Sequence, residues 1–239
     1  TGSSTGQLRV AVGHLGNEGL SPASAAMSGK FYLVLLYDSL VGVTPEGQPS
    51  KEAGLASDWE SSPDFKTWTF TLRKGIKFHN GDEATAEDVK FTLEAMVGSE
   101  SVAMGAGELK GLLDRVDVEG PYKVVIHTKK PAPNLNWQLS PALYGLGMVL
   151  PKNYIEQNGW DHFLNNPVGL GPYEFGDRVT GANIELKAVE DHWRVGVPKY
   201  ETVRFLVVPE ETTRVAMLQR AEVDIADMSG AQVKTVEQA

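Results

Sequence analysis

The sequence contains no cysteine, and this absence excludes several kinds of site at once. Without a thiol the chain forms no disulfide, no cysteine-ligated zinc centre and no thiolate nucleophile. Basic residues are also scarce, because 22 lysines and arginines stand against 31 acidic residues and give a formal net charge of −9. A nucleic-acid partner requires a basic face that neutralises phosphates, so we expect no nucleic acid among the partners.

Long apolar stretches are missing as well. The longest one, Phe31 to Tyr37 ("FYLVLLY"), is far shorter than the roughly 18 residues that a membrane span requires. Because the stretch is apolar on every side, it predicts a helix from Phe31 to Leu40 that other elements cover. The start, "TGSSTGQLRV", is small and polar, and it indicates either the trimmed mature end of a secreted protein or an artificial boundary.

The remaining patterns mix strands with helices and predict an α/β or α+β protein. Trp68, Phe70 and Leu72 alternate with polar residues, which is typical of a half-buried strand. The same reasoning predicts strands over Leu8–Val12, Val116–Val118, Val124–Thr128, Ile184–Ala188, Val203–Val208 and Val223–Ala226, and a helix over Pro209–Gln219.

The stretch Lys77 to Val89, "KFHNGDEATAEDV", gathers one histidine and several acidic residues and raises the question of an active site. Its simpler interpretation is a turn that enters a helix. Asn80-Gly81 favours a turn, because both residues tolerate positive φ. Thr85 precedes Asp88 by three positions, directly before an apolar rhythm, and this spacing predicts a helix N-cap with a capping box.

The competing hypothesis for this stretch is a hydrolase that uses His79, Asp82 and Glu83. A metal site would need further ligands at a fitting spacing, and the sequence has no H-E-x-x-H, no H-x-H and no EF-hand loop. We therefore favour the structural interpretation, and we expect no catalytic residue, no metal site and no cofactor.

Several ordered motifs resemble those of one family. They are "LASDWESSPDFKTWTFTLRKGIKFHNGDEATAEDVKFTLEAM" (55–96), "NPVGLGPYEF" (166–175) and "EDHWRVGVPKYETVRFLVVPEETTRVAMLQRAEVDIA" (190–226). Together they resemble the extracytoplasmic solute-binding proteins of family 5, whose members include dipeptide-, oligopeptide- and nickel-binding proteins of ABC importers. Three residues depart from the family pattern: Leu170 replaces a threonine, His192 a tyrosine and Ala221 a glycine.

The resemblance implies a fold of the periplasmic-binding-protein type II kind. Residues 1–44 and 168–239 would form part of domain I, with a mixed sheet, and residues 45–167 would form an inserted α/β domain II. Family members continue into a domain III that closes over the ligand. We therefore expect this chain to be a fragment without domain III.

The resemblance also implies a function. The chain would be part of the substrate-binding component of an ABC importer, which captures a peptide or similar small organic solute outside the cytoplasmic membrane and delivers it to the permease. We expect a monomer that is periplasmic or anchored to the membrane as a lipoprotein, and not an enzyme. The alternatives are a binder of a nickel chelate or another solute, the hydrolase, and a module that only docks to a permease.

By resemblance, ligand contacts lie in the loop after the first strand, in a domain II loop and at a late strand end. The ligand-binding residues expected there are Ala25, Ala26, Met27, Met104, Asp227, Met228 and Ser229. For Met27 and Met104 the alternative role is core packing, and for Asp227 it is a solvated strand end.

Overall fold

A computed structural model describes residues 6–25, 29–194 and 196–237 of the chain. Its strands are Gln7–Val12 (β1), Gly42–Val43 (β2), Pro49–Ser50 (β3), Ala56–Ser61 (β4), Thr67–Leu72 (β5), Leu113–Val118 (β6), Lys123–Thr128 (β7), Tyr173–Val179 (β8), Asn183–Ala188 (β9), Thr202–Val207 (β10) and Ile225–Ala226 (β11). Its helices are Lys30–Leu36 (α1), Ala86–Val97 (α2), Ala106–Leu112 (α3), Leu135–Gln138 (α4), Lys152–Asn158 (α5), Trp160–Phe163 (α6), Glu211–Gln219 (α7) and Gly230–Glu237 (α8).

The first sheet joins the beginning of the chain to its last third. Its strand order is β11-β1-β10-β9-β8. β1 runs parallel to β10, with Leu8 opposite Val203, and parallel to β11, with Val10 opposite Ile225. The pairs of β9 with β10 and with β8 are antiparallel, so the sheet is mixed as predicted. Because parallel strands end at one edge, the carboxyl ends of β1, β10 and β11 lie together.

The second sheet has the order β4-β5-β7-β6 and is antiparallel throughout. Trp68, Phe70 and Leu72 of β5 are buried, which confirms the predicted alternation. The predicted hairpin is also present as β6 and β7. α2 contributes buried apolar side chains to the same core, including Leu93 and Met96. Sheet and helix therefore share one core in this part of the chain.

Each sheet has its own apolar core. The first core surrounds α1 and β1, and the second surrounds β5 and α2. Leu150, Ile155 and Phe163 belong to the first core, so α5 and α6 cover part of the first sheet's cluster. We propose that the two sheets correspond to the predicted domains, with 1–44 and 168–239 around the first sheet and 45–167 around the second.

The prediction of a covered helix from Phe31 to Leu40 is wrong in two respects. α1 ends at Leu36, and Phe31 is 51% exposed. The chain becomes extended at Tyr37 because its backbone groups pair elsewhere: Val149 N–H donates to the Asp38 carbonyl at 3.0 Å, and Leu40 N–H donates to Gly147 at 2.7 Å. The apolar run is therefore divided between a helix and an extended crossing segment.

The start of α2 confirms the predicted cap. Thr85 is its N-cap, and the Thr85 backbone N–H and hydroxyl both donate to the Asp88 carboxylate, at 2.8 and 3.0 Å. Asp88 is buried and also accepts the first N–H of α5, from Lys152, at 3.0 Å. Burial raises the pKa of the Asp88 carboxyl. One acidic side chain therefore holds two helix starts together.

Candidate functional site

A small cavity opens where four segments of the chain meet. It encloses about 30 Å³ and is lined by Pro22, Ala25, Lys30, Leu33, Ala103, Met104, Leu143, Tyr144, Gly145 and Met148. We call it the cleft cavity. It brings together two residues expected to contact ligand, Ala25 and Met104, which are 79 positions apart in the sequence. Two others, Ala26 and Met27, lie outside the described residues.

Backbone hydrogen bonds hold two walls of the cleft cavity in place. The loop after β1 turns back on itself, since Ala25 N–H donates to the Ser21 carbonyl at 2.9 Å. Val102 N–H then donates to the Ala23 carbonyl, also at 2.9 Å, and fixes the loop before α3 against this turn. Met104 is carried to the cavity by that contact, although its own side chain is 47% exposed.

A glycine allows the third wall to approach. Gly105, the N-cap of α3, has φ of +82°, a conformation that residues with a Cβ seldom adopt. A Cβ at this position would overlap the ring of Tyr144, which lies directly against it. The absence of a side chain at Gly105 therefore lets Tyr144 close this side of the cleft cavity.

Lys30 is the one residue with a charged side chain among the described residues that line the cleft cavity. Its Nζ donates to the Leu143 carbonyl at 3.0 Å. Burial lowers the pKa of the Lys30 ammonium, because the site removes water from the charged form. No carboxylate among the described residues forms an ion pair with Lys30.

Two apolar side chains of the cavity lining are exposed, since Met104 is 47% exposed and Leu143 36%. Val102, which precedes the lining residue Ala103 in the sequence, is 66% exposed. A group of exposed apolar side chains around a concave site is typical of a surface that receives a ligand or another part of a protein.

The three remaining site residues lie at the end of β11 and not in the cleft cavity. Asp227 N–H donates to the Ala11 carbonyl at 2.9 Å, and the Asp227 carbonyl accepts from Arg214 Nε at 2.6 Å. The Ser229 N–H donates to the Glu211 carboxylate, and this bond holds the pKa of Glu211 below its usual value. The backbone of this strand end is therefore well anchored, and the Asp227 side chain is exposed.

His79 and Glu83, two of the residues named in the hydrolase hypothesis, form structural contacts. Gly169 N–H donates to His79 Nδ1 at 3.1 Å, so Nε2 carries the proton that it donates to the Gly171 carbonyl at 2.9 Å. Burial lowers the pKa of the His79 imidazole, which agrees with this neutral form. Glu83 accepts from Gly75 N–H and Tyr122, and these bonds lower the pKa of its carboxyl. Within 6–25, 29–194 and 196–237 no group of three or more acidic or histidine side chains could hold a metal ion.

A buried ionic network lies near the same glycines. Asp38 is 4% exposed and accepts from Trp193 Nε1 at 2.7 Å and from Arg194 Nη2 at 2.6 Å. The guanidinium of Arg73, at the end of β5, lies 5.2 Å from the Trp193 ring centroid. Contacts from both sheets therefore meet here. We use the term junction for Asp38, His79, Gly169, Gly171, Trp193 and Arg194.

A larger cavity of about 500 Å³ borders the same loop after β1. Its lining is mostly small and acidic, with one aromatic ring and one leucine, and includes Ser21, Ser24, Glu100, Trp160 and Asp161. None of the described residues that were expected to contact ligand lines it. We therefore take the smaller cleft cavity as the candidate site, because the predicted residues and the unpaired lysine meet there.

Comparison with known proteins identifies the family. The family described as bacterial extracellular solute-binding proteins, family 5 (middle part), matches residues 52–239. The chain belongs to this family. The periplasmic oligopeptide-binding protein OppA of Haemophilus influenzae is 29% identical over 208 residues, which are 79% of this chain and 38% of that protein. The chain thus spans well under half of that relative's length.

Solved structures show the same fold. The binding protein MoaA of A. tumefaciens R10, in complex with mannopinic acid, is 28% identical and superposes with a TM-score of 0.81, covering 93% of this chain and 45% of that one. The Helicobacter pylori protein DppA, in complex with the peptide STSA, has a TM-score of 0.86 at 24% identity, over 99% of this chain and 49% of that one. The predicted type of binding-protein fold is confirmed.

Family membership decides between the two functional classes. The family consists of extracytoplasmic substrate-binding proteins of ABC importers and not of enzymes, so the hydrolase hypothesis is set aside. None of the helices that the structure describes is long and apolar enough to cross a membrane. Lys30 was not among the predicted site residues, although a lone lysine directly before an apolar run was a usable signal.

Proposed function

We propose that this chain is the ligand-receiving part of an ABC importer's substrate-binding component, which captures a peptide or similar small organic solute and delivers it to the permease. The observation that carries the proposal is the cleft cavity, a concave, mostly apolar site with one unpaired cation between segments of the two sheets. A binding protein acts by closing around its solute and needs no acid–base pair.

The proposed contacts fall into two groups. Ala25, Ala26, Met27 and Met104 would face the solute at the loop after β1 and its neighbour, and Asp227, Met228 and Ser229 would face it at the carboxyl end of the first sheet. Ligands in sheets of this kind bind beyond the carboxyl ends of the strands, which supports the second group.

The proposed location is outside the cytoplasmic membrane, in the periplasm or on a lipid anchor, with an ABC permease as the macromolecular partner and a monomeric state. The relative from Haemophilus influenzae is named periplasmic, which supports this location. A nickel chelate is the weaker alternative, because the described lining of the cleft cavity holds neither arginine nor tryptophan.

Calorimetric titration of the full-length gene product with a library of di- to pentapeptides would test the proposal. We expect saturable binding at micromolar concentration or tighter, with the peptides recovered intact by mass spectrometry. Peptide cleavage would favour the rejected hydrolase. Binding of a nickel–histidine complex, with no response to any peptide or opine, would favour the nickel alternative.

Transport would test delivery to the permease. A strain without the gene should lose uptake of the bound solute and regain it from a plasmid copy. Undiminished uptake by the deletion strain would contradict the importer role even if the protein binds peptides in solution.

A further inference from the structure

The charged group of Lys30 has no anionic partner within the part of the chain that the structure describes. An ammonium has three donors, and Nζ uses one of them, toward the Leu143 carbonyl at 3.0 Å. The side chain is half-buried, and its neighbours Leu33 and Met148 are apolar. A charge removed from water is costly unless it is paired, so this site gains from the arrival of an anion.

The distribution of charge in the rest of the molecule also favours an anion beside Lys30. The chain carries a formal net charge of −9, yet no acidic side chain lines the cleft cavity among the described residues. Only Lys51, Lys123 and Lys152 form ion pairs with carboxylates among the described lysines, so an unpaired ammonium is common in this chain. Lys30 is distinguished by its half-buried position in a concave site, where burial lowers the pKa of its ammonium.

The recess beside Lys30, which is partly open to solvent, has room for a small anionic group. About 30 Å³ is roughly the space of two water-sized atoms, since one water needs about 10–15 Å³ by this measure. A carboxylate presents two such oxygen atoms. The exposed apolar side chains of Met104 and Leu143, which line the cavity, would then cover the uncharged part of the solute next to it.

We infer that Lys30 is a specificity-determining residue that pairs with a carboxylate of the solute, so that the protein selects acidic solutes with an uncharged or apolar group beside the carboxylate. The inference rests on the proposed function, and it adds the chemical class of the solute. A peptide carboxylate and the carboxylate of an opine such as mannopinic acid share this chemistry. The test separates these two sources.

The test uses the full-length gene product and matched probe pairs. One pair is the peptide Ser-Thr-Ser-Ala as free acid and as carboxamide, extended to the di- to pentapeptide library in both forms. The other pair is mannopinic acid and its methyl ester. The variants are Lys30→Met, which removes the charge, and Lys30→Arg, which keeps it. Lys66→Met, at the exposed turn between β4 and β5, is the control.

We expect the parent to bind one acid tenfold to a hundredfold more tightly than its neutral partner, which is the range for a charge-assisted hydrogen bond. Lys30→Met should lose that preference and bind the neutral probe as the parent does. Lys30→Arg should retain most of the preference, and Lys66→Met all of it. The probe pair for which the parent prefers the acid identifies the source of the carboxylate as a peptide or as an opine.

Two results would overturn the inference in different ways. Equal binding of acid and neutral probes by the parent and by Lys30→Met would contradict the role of Lys30 and leave the proposed function intact. No binding of any peptide or opine by the parent would remove the proposed function, and the inference with it.

A measurement without ligand gives a second check. Because Lys30 has no ion pair among the described residues, Lys30→Met should lose only the bond to the Leu143 carbonyl and should lower the melting temperature of the free protein by no more than about 5 °C, while Lys66→Met should leave it unchanged. A fall of more than about 10 °C for Lys30→Met alone would show that the ammonium already has a stronger stabilising partner, and the inference would be wrong.

Discussion

The junction and the cleft cavity differ in how they treat buried charge. At the junction, Asp38 is almost fully buried and accepts from two side chains, Trp193 and Arg194. In the cleft cavity, Lys30 is half-buried and donates only to a backbone carbonyl, that of Leu143. A buried charge that is paired stabilises one arrangement of the chain, whereas a half-buried charge without an ion pair is available to a ligand. The two regions therefore serve structure and recognition respectively.

The largest expected effect comes from breaking the junction. Asp38→Ala removes the buried partner of Arg194 and Trp193, and we expect a loss of about 4 kcal/mol in the free energy of unfolding, as for other broken buried pairs. Chemical denaturation would measure it. Asp58→Ala, which removes an exposed partner of Lys51, is the control and should change nothing measurable. Equal free energies of unfolding for Asp38→Ala and Asp58→Ala would show that the junction does not hold the two sheets together.

The second effect concerns the wall of the cleft cavity. Gly105→Ala places a Cβ against the Tyr144 ring at positive φ, so we expect a loss of about 2 kcal/mol from backbone strain and displacement of the ring. Gly107→Ala, in the same helix with open space around it, should instead gain up to about 1 kcal/mol. Thermal unfolding of both variants would show opposite signs if the account of this wall is right.

A third prediction tests the cap of α2. Thr85→Ala should cost about 1 kcal/mol, because the hydroxyl bond to Asp88 is lost at the N-cap. Thr85→Ser keeps the hydroxyl and should lie close to the parent. If denaturation curves for Thr85→Ala matched the parent within about 0.2 kcal/mol, the cap would have no energetic role.

A substitution at the end of α7 should raise the free energy of unfolding, by a smaller amount. Ala221, the residue that replaces the family's glycine, adopts φ of 55°. Its N–H donates to Leu218 at 3.0 Å, and Glu222 N–H donates to Met217 at 2.9 Å, so the helix closes with a Schellman motif despite the Cβ. Ala221→Gly should raise stability by about 0.5–1 kcal/mol, whereas Ala216→Gly within α7 should lower it by about 1 kcal/mol. If Ala221→Gly lowered the free energy of unfolding, the backbone at Ala221 would not be strained.

The smallest expected effect is a pH dependence at the junction. The folded protein keeps His79 neutral, with a pKa below the 6.5 of an unfolded chain. As pH falls below about 6.5, the unfolded state therefore binds more protons than the folded state, and stability decreases. His79→Gln should flatten this part of a stability–pH curve measured in urea. An unchanged slope between the parent and the variant would show that His79 titrates alike in both states.

Local patterns in the sequence predicted local structure well. The alternation around Phe70 and the spacing of Thr85 and Asp88 correctly located a strand and a helix start, because both signals depend on near neighbours. The apolar run after Lys30 led to the wrong prediction that the helix continues to Leu40. Hydrophobicity does not indicate that the backbone beyond Leu36 pairs with a distant segment.

The candidate site was less predictable for the same reason. The Asp38–Arg194 pair joins residues 156 positions apart, and no periodicity points to such a pair. The resemblance to family 5 supplied Ala25 and Met104, which the structure brings to one cavity, but Lys30 stood outside the quoted motifs. Residues that act through long-range contacts needed the fold before they could be recognised.

Hydrogen exchange on the full-length gene product, with and without a bound library peptide, tests the contrast between the two regions most directly. The junction amide of Gly169, and the amide of Leu40 close to Asp38 in the sequence, should be protected in both states, because their partners are already in place. The amides of residues 104–105 and 143–144, which have no acceptor among the described residues, should become protected only when the solute binds. The opposite pattern, with new protection confined to the junction and none around the cleft cavity, would contradict the account.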